Sequence, residues 1–466
     1  MKKAIIIPVL LMFSPLAAQQ SSIEQLRAEQ QQRMNSMKTE YSDRVDQMHK
    51  EYEQWVELMR EEHQAFQKKI AHKWGDEQAV ETTAKTWVEY SDDESTRSIV
   101  DFESGEVKVE VLLSDSDFDS EGNVLPGRME QAVEMALSSR GHTMDYQSEY
   151  EPRKEVSKTA ILEDMVDLST IAPSSAAKTT PNAPSSPQSY TATSSSRSYS
   201  SGVTTSAAVL GEAPPVSTGE TPKPKSESTT TTVVETIPTP APAAVEKKEV
   251  KSVATKIVET VKPTVTTQKN SEGETKKVAT IELKLVDNHL SKMAATYRPL
   301  VSKYSAEYGI DEPIIYAIME QESAFNPTAK SWVPAYGLMQ LVPTSGGRDA
   351  YNYVHKKDKI VSGDYLFEPA NNIELGAAYF KILKTRNFHK VTDPECQLLC
   401  MVAAYNCGAG NVSRAITGNT NLTKAIPEIN KMNYDQLYSH FRKNLPDETK
   451  DYIYKITRNI KKYSSK

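Results

Sequence analysis

From Pro173 to Gly273 the chain is dominated by Ser, Thr, Pro and Ala, and this tract limits what the rest can fold into. Such a composition buries too little apolar surface to offset the entropy of ordering it, so the tract is expected to be disordered. With 25 prolines and 38% apolar residues in 466, a good part of the chain is not core, and folded blocks are expected on either side. As a random coil the tract would hold its ends roughly 55 Å apart. It is either a tether or an insertion without a role of its own. If the segments flanking it pair, it is a loop inside one module rather than a linker between two.

Ahead of the tract, Met1-Lys-Lys3 and an apolar run to Leu16, then Ala17-Ala18, read as a secretory signal peptide over residues 1–18, although Leu16 is not ideal three residues before the cut. The apolar run is too short to span a membrane comfortably. No Cys lies near the cleavage region, so no lipid anchor is evident. Over residues 21–73, apolar residues from Ile23 and Leu26 to Trp55 and Met59 recur in steps of three and four, with no Pro or Gly until Gly75. This predicts one long helix, of which about forty-five residues would reach roughly 70 Å. Its narrow apolar stripe and charged flanks suit a coiled coil with a second copy or a partner helix, or folding back on the next domain. Residues 74–168 read as a small α+β unit. Within it, Ser98–Leu112 alternates as two strands about a Ser-Gly turn, and a helix follows near Met129–Ser138. Residues 276–286 alternate through Val278, Ile281, Leu283 and Leu285, and this strand is expected to return and pair with that unit.

The net charge of −7 is unevenly spread: from residue 293 onward there are 22 Lys and Arg against 17 Asp and Glu, leaving −12 for the remainder. A mildly basic C-terminal half suits an acidic polymer. Nucleic acid is set aside, because no binding fingerprint accompanies the charge. The eight His form no ligand-spaced cluster, so neither a metal nor another cofactor is expected. All three Cys (Cys396, Cys400 and Cys407) fall in the C-terminal half. Cys396 and Cys400 are i, i+4 on an expected helix, awkward for a disulfide though not excluding one, and the odd count leaves a free thiol. Their default reading is as buried small hydrophobes.

The sharpest chemical signal is Glu322. Asp311-Glu-Pro313 reads as a helix start, with Asp311 as the capping carboxylate. Ile315, Ile318, Met319 and Glu322 then share one face, with Glu320 and Gln321 turned to the opposite side. A carboxyl on an apolar face is desolvated and holds its proton to higher pH, as a general acid at a glycosidic oxygen requires. Alone, Glu322 reads as well as a cap or an ion-pair partner. Its company changes that. Ala329-Lys-Ser331, Gly337-Leu-Met-Gln340 and Ala404-Tyr-Asn-Cys-Gly-Ala-Gly410 follow it in order within about ninety residues, and Glu448-Thr-Lys-Asp-Tyr452 comes near the C-terminus.

This constellation resembles the lytic transglycosylase catalytic domain of the soluble-transglycosylase type, a small helical relative of goose-type lysozyme. The resemblance implies cleavage of the β-1,4 bond between N-acetylmuramic acid and N-acetylglucosamine in peptidoglycan, without water, leaving a 1,6-anhydro ring. One carboxyl suffices there, because the substrate's own N-acetyl group stabilises the cation. Carried over by motif, Glu322 is the catalytic acid/base. Ser331, Gln340, Tyr405, Asn406, Glu448 and Tyr452 match substrate-binding positions, with the Tyr405 phenol expected close to the acid. Each also has a plain structural reading: Tyr405 as a core aromatic, Asn406 closing a helix, Glu448 as a helix N-terminal charge. The chain departs from the pattern at Pro334-Ala335, where the family has Gly-Ala; a Pro fixes φ, so the loop bearing Gln340 is open to a different shape. Pro343-Thr-Ser345 replaces the usual Pro-x-Thr-Ala, and Cys407 fills a variable slot.

Trp87–Asp93, the following hairpin and Lys277–Leu290 are similar to the N-terminal domain of the membrane-bound lytic murein transglycosylases of type C. The expected fold is therefore α+β and multi-domain: a long N-terminal helix, a small α+β domain completed by residues 276–286, a disordered insertion, and a mainly-α lysozyme-like domain over residues 287–466. The resemblance implies a periplasmic enzyme of a Gram-negative bacterium acting on glycan strands. A hydrolytic muramidase on the same fold, with Glu448 activating water, and a non-catalytic peptidoglycan-binding scaffold are the rival readings.

Overall fold

The computed structural model describes residues 15–75, 79–141, 155–157, 159–169, 247–331 and 335–465. Residues 1–14 of the expected signal peptide, Pro334 and most of the Ser/Thr/Pro tract lie outside these. The chain divides into two compact units, up to Met59 and from Arg60 onward. Helix α1 runs unbroken from Pro15 to Trp74. In the first unit Ile23, Leu26, Met34 and Met37 on this helix are exposed. Among the described residues, no helix is long and apolar enough to cross a membrane.

The second unit opens with the last turns of α1, which pack on a sheet. Five antiparallel strands, β1 (Thr86–Tyr90), β2 (Thr96–Asp101), β3 (Glu106–Leu113), β4 (Thr264–Lys269) and β5 (Thr275–Lys284), lie in the order β1-β2-β3-β5-β4. Alternation sends one set of side chains to each face. On one face Trp87, Val100, Val107 and Leu283 stand opposite one another across four strands, all buried. On the other, Phe66, Ile70 and Trp74 from α1 pack on Val88, Tyr90 and Val278. Trp74 is fully buried, donates from Nε1 to Glu94 O at 2.7 Å, and carries the Arg97 guanidinium over its ring. Between β2 and β3 the Asp101 carboxylate accepts from the N–H groups of Glu103 and Ser104, closing the Ser-Gly turn. Helix α2 (Pro126–Ser138) lies against β2 and β3.

One boundary differs from expectation. The tract anticipated as disordered to residue 273 becomes regular at residue 247, with helix α3 (Lys247–Thr260) packed on α2 and β4 paired to β5. After Pro242 the composition changes: Val250, Val253, Ala254, Ile257 and Val258 recur at helical spacing, and Ala254, Ile257 and Val258 are buried. Past Pro263, Thr264-Val-Thr-Thr is β-branched throughout and matches the free edge of β5.

From β5 the chain enters eleven helices, among the described residues: α4 (His289–Thr296), α5 (Arg298–Tyr308), α6 (Glu312–Ser323), α7 (Gly346–His355), α8 (Gly363–Phe367), α9 (Pro369–Ile382), α10 (Pro394–Cys407), α11 (Ala409–Thr417), α12 (Leu422–Ile429), α13 (Tyr434–Asn444) and α14 (Asp447–Ser464). Helix α9 is buried on nearly every side and is flanked by α5, α6, α7 and α8. Cys396 and Cys400 are buried free thiols and Cys407 is partly exposed. The sheet is joined to this domain through residues 155–169 as well as through the chain itself. Val286 N donates to Met165 O at 2.7 Å, Asp167 N to Lys284 O at 2.8 Å, and the Lys292 ammonium to Asp164 O at 2.6 Å.

Trp74→Ala removes a fully buried indole with its hydrogen bond and cation–π contact, and is expected to destabilise the sheet unit by about 3–5 kcal/mol. Urea unfolding followed by far-UV circular dichroism checks this; an unchanged midpoint would contradict the packing described.

Candidate active site

Helix α6 places the candidate acid. Pro313 sits in its first turn, but the Asp311 side chain makes no capping bond, contrary to expectation. Pro313 lacks one of the N–H groups such a cap would bind, and Ile314 N donates instead to the backbone carbonyl of Asp311 at 2.9 Å. Ile315, Ile318 and Met319 are buried, and Glu322 follows on their face. The helix ends immediately afterwards, with Ala324 and Phe325 both in the left-handed region at φ 49° and 63°. Two successive non-glycine residues there are strained, and burial of Phe325 helps hold them.

Glu322 remains partly exposed as a residue, yet its carboxyl is packed among protein atoms. Burial pushes its pKa up to about 7, opposed by the Tyr452 hydroxyl, which donates to Oε1 at 2.7 Å. The Glu448 carboxylate adds to the rise and the Lys85 ammonium works against it. Burial and the neighbouring Glu322 hold the phenols of Tyr452 and Tyr405 well above their ordinary range, so both remain neutral donors. Helix α14 packs on α6 and grips it twice. Tyr452 meets Glu322, and near the other end Lys462 and Tyr463 bond Glu320 at 2.8 and 2.5 Å. Glu320, placed by periodicity on the opposite side, is thus engaged by the same partner helix.

The Gly337-Leu-Met-Gln340 loop is fastened beneath this pair. The buried Ser323 hydroxyl reaches Leu338 O at 2.8 Å, with Met319 O at 3.0 Å the other acceptor in range. Tyr405 donates to Met339 O at 2.9 Å. Asn372 of α9, fully buried, accepts from Met339 N at 2.7 Å and donates to Tyr336 O and Leu366 O at 2.7 and 2.8 Å. Gly337 has φ +73°, and a Cβ there would collide with Leu366 O and the Asn372 amide. Gly376 likewise makes room for the Met339 side chain.

The residues singled out by motif divide into two groups. Tyr452 bonds Glu322 directly, Glu448 acts on it electrostatically, and Glu322 in turn raises the Tyr405 phenol. Asn406 joins this group through α14: its amide donates to Glu448 Oε1 at 3.2 Å and accepts from the buried Thr449 hydroxyl at 2.6 Å. The other two shape the loop. Gln340, at φ 46°, donates from Nε2 to Ala329 O and Gly337 O at 3.1 and 3.0 Å. Ser331 Oγ accepts from Ala335 N at 3.0 Å. Sequence reasoning missed Asn372, Ser323 and Thr449. The readable signal for the first was an Asn in α9 directly before the mostly apolar stretch from Ile373 to Ile382. Among the described residues no cluster of three or more His, Cys, Asp or Glu could hold a metal.

The raised pKa of Glu322 fixes a sign for stability. Unfolded, the Glu322 carboxyl loses its proton near the ordinary 4.5; folded, it keeps it to about 7. Between those values the folded chain holds the extra proton, so stability present below the lower value is lost as pH rises through the higher one. Glu322→Gln carries no charge at any pH and is expected to be about 1–3 kcal/mol more stable than the parent at pH 8, with the gain gone by pH 4. Thermal unfolding at both pH values checks this; an equal gain at both would contradict it.

Residues 299–426 match the Transglycosylase SLT domain family, and residues 50–120 match the N-terminal domain of membrane-bound lytic murein transglycosylase C. The chain is 39% identical over 189 residues to membrane-bound lytic murein transglycosylase C of Sodalis glossinidius, covering 40% of this chain and 52% of that protein. It is 36% identical over 184 residues to the protein of the same name in Haemophilus influenzae, covering 39% and 51%. It thus spans about half the length of the curated relatives it matches. Among solved structures, an inactive variant of lytic transglycosylase Slt from Pseudomonas aeruginosa aligns with TM-score 0.29 and 25% identity over 36% of this chain and 24% of that one. A complex of a 70-kDa soluble lytic transglycosylase with bulgecin A aligns with TM-score 0.30 and 23% identity over 38% and 25%. One segment of the chain, which contains Glu322, is thus similar to the Transglycosylase SLT domain family, and another to the N-terminal domain of membrane-bound lytic murein transglycosylase C.

Proposed function

We propose that this protein is a peptidoglycan lytic transglycosylase with Glu322 as its acid/base. The observation that carries the reading is one carboxyl, enclosed and bonded to Tyr452, that keeps its proton to about pH 7 inside an SLT domain. The substrate is the β-1,4 bond between N-acetylmuramic acid and N-acetylglucosamine. Glu322 donates its proton to the glycosidic oxygen as that bond breaks, and the substrate's N-acetyl group stabilises the cation. The carboxylate so formed takes the proton from the C6 hydroxyl, whose oxygen closes on C1 as the 1,6-anhydro ring. No water is consumed, and the carboxyl ends protonated as it began. Tyr452 is suited to steady the carboxylate during its charged interval, since its hydroxyl already donates to Oε1.

Glu448, Tyr405 and Asn406 are proposed to line the glycan site beside Tyr452. Gln340 and Ser331 are proposed to hold the loop beneath it, a role their bonds to backbone favour. The names of the relatives support action in the cell envelope, and the leader-like N-terminus supports a periplasmic setting. The exposed apolar residues of α1 support self-association, or pairing with a partner helix, over residues 21–73.

Digestion of purified sacculi by the protein and by Glu322→Gln tests the reading. Released muropeptides one water lighter than hydrolytic products, absent with the variant, are expected. Products of hydrolytic mass would point to a muramidase, and binding without release by either protein to a scaffold.

A further inference from the structure

Helix α7 leads away from the candidate site. It begins at Gly346, where an added Cβ would lie 3.4 Å from the Tyr379 ring, and the centroids of the Tyr379 and Tyr405 rings are 5.6 Å apart. Tyr405 in turn bonds the loop beneath Glu322 through Met339 O. The ten residues of α7, at 1.5 Å each, carry its far end about 15 Å from that point. Three cations gather there on two aromatic rings. The Lys356 ammonium lies 4.9 Å from the centroid of Tyr353, and the Arg386 guanidinium 5.2 Å from the same centroid. The Lys359 ammonium is 5.9 Å from the Tyr351 ring, which packs on His355 at 4.3 Å and on Tyr365 at 5.8 Å. Lys356, Lys359 and Arg386 are exposed, and the tyrosines between them are half-buried. Among the described residues none of the three cations makes an ion pair. Asp358, beside them in the sequence, is held instead by Arg348 at 2.6 and 3.0 Å.

An aromatic ring positions a cation without neutralising it, so the charge stays available to a ligand. Lysines at a helix end also suit the macrodipole, but Lys359 and Arg386 lie outside α7, in the loop after it and in the turn after α9. We propose that this end of α7, with Lys356, Lys359 and Arg386, docks the carboxylates of the short peptides that a peptidoglycan strand carries on its muramic acid. The inference rests on peptidoglycan being the substrate. A peptide of four or five extended residues spans about 13–17 Å, enough to reach from a sugar beside Tyr405 to the three cations. The Arg386 fork suits a bidentate hold on a carboxylate, and the two lysines act as point charges beside it.

Initial rates against strand concentration, measured with the full chain at low salt, test this on two substrates. One is soluble glycan strands that keep their peptides; the other is the same strands after an amidase has removed them. The variant Lys356→Gln/Lys359→Gln/Arg386→Gln is expected to raise KM about 3–20-fold on peptide-bearing strands, with kcat kept and KM on bare strands unchanged. Added salt should shrink the difference, and Lys356→Arg/Lys359→Arg/Arg386→Lys should return KM close to the parent's. A damaged fold would lower kcat on both substrates. In that event Arg386→Gln alone decides, with an expected rise in KM of about 2–5-fold on peptide-bearing strands only. An equal change on both substrates, or none, would overturn the docking site and leave the acid assignment standing. So would loss of binding to vesicles of anionic phospholipid with both KM values unchanged, which would give the patch to a membrane surface. A parent that cleaves neither strand would overturn the reading of function itself, and this inference with it.

Discussion

The Glu322 carboxyl is enclosed by protein and still holds a proton close to neutral pH, and the helical domain is arranged around keeping it so. Burial alone would leave a polar group without a partner, which is costly, and the Tyr452 hydroxyl at 2.7 Å relieves that cost. The bond forms only if α14 lies against α6 in a fixed register. A second grip, from Lys462 and Tyr463 to Glu320, is well placed to hold that register. Beneath them the Gly337-Leu-Met-Gln340 loop is tied by Ser323, Tyr405 and Asn372, groups from three different helices. One charge-suppressed carboxyl thus accounts for a helix pair, a strained exit from α6 and a loop with little freedom.

The sheet is joined to this frame. Its β5 strand leads into α4, and residues 155–169 bond the connection. His289 reaches back to Phe102 O across the boundary.

Much of this was readable in the residues, for reasons that can be named. Helical periodicity placed Glu322 with Ile315, Ile318 and Met319, because burial of one stripe is what forms such a helix. Alternation through Val278, Ile281 and Leu283 marked a strand that is buried at those positions, and its partner across a long sequence gap followed from the domain resemblance. Other features depend on contacts that periodicity does not encode. Nothing local shows that Glu320 would meet Lys462, since the two are brought together by the crossing of α6 and α14. Asn372 serves a loop more than thirty residues earlier in the chain. The boundary at residue 247 was lost because the tract was extended to Gly273 on the Thr-rich run from Thr264, across the Val and Ile residues that recur at helical spacing from Val250. Asp311 was read as a cap because a carboxylate there precedes an early Pro, although that Pro313 had itself removed one of the donors a cap would serve.

The most direct test of the account is the titration of Glu322 itself. Carboxyl-labelled glutamate, followed by carbon NMR against pH with Glu322→Gln used to assign the signal, reports the protonation of this one group. The account predicts a midpoint near 7, well above the ordinary 4.5. A midpoint in the ordinary carboxylate range would mean that the carboxyl is charged and solvated at neutral pH, and would contradict its role as the proton donor.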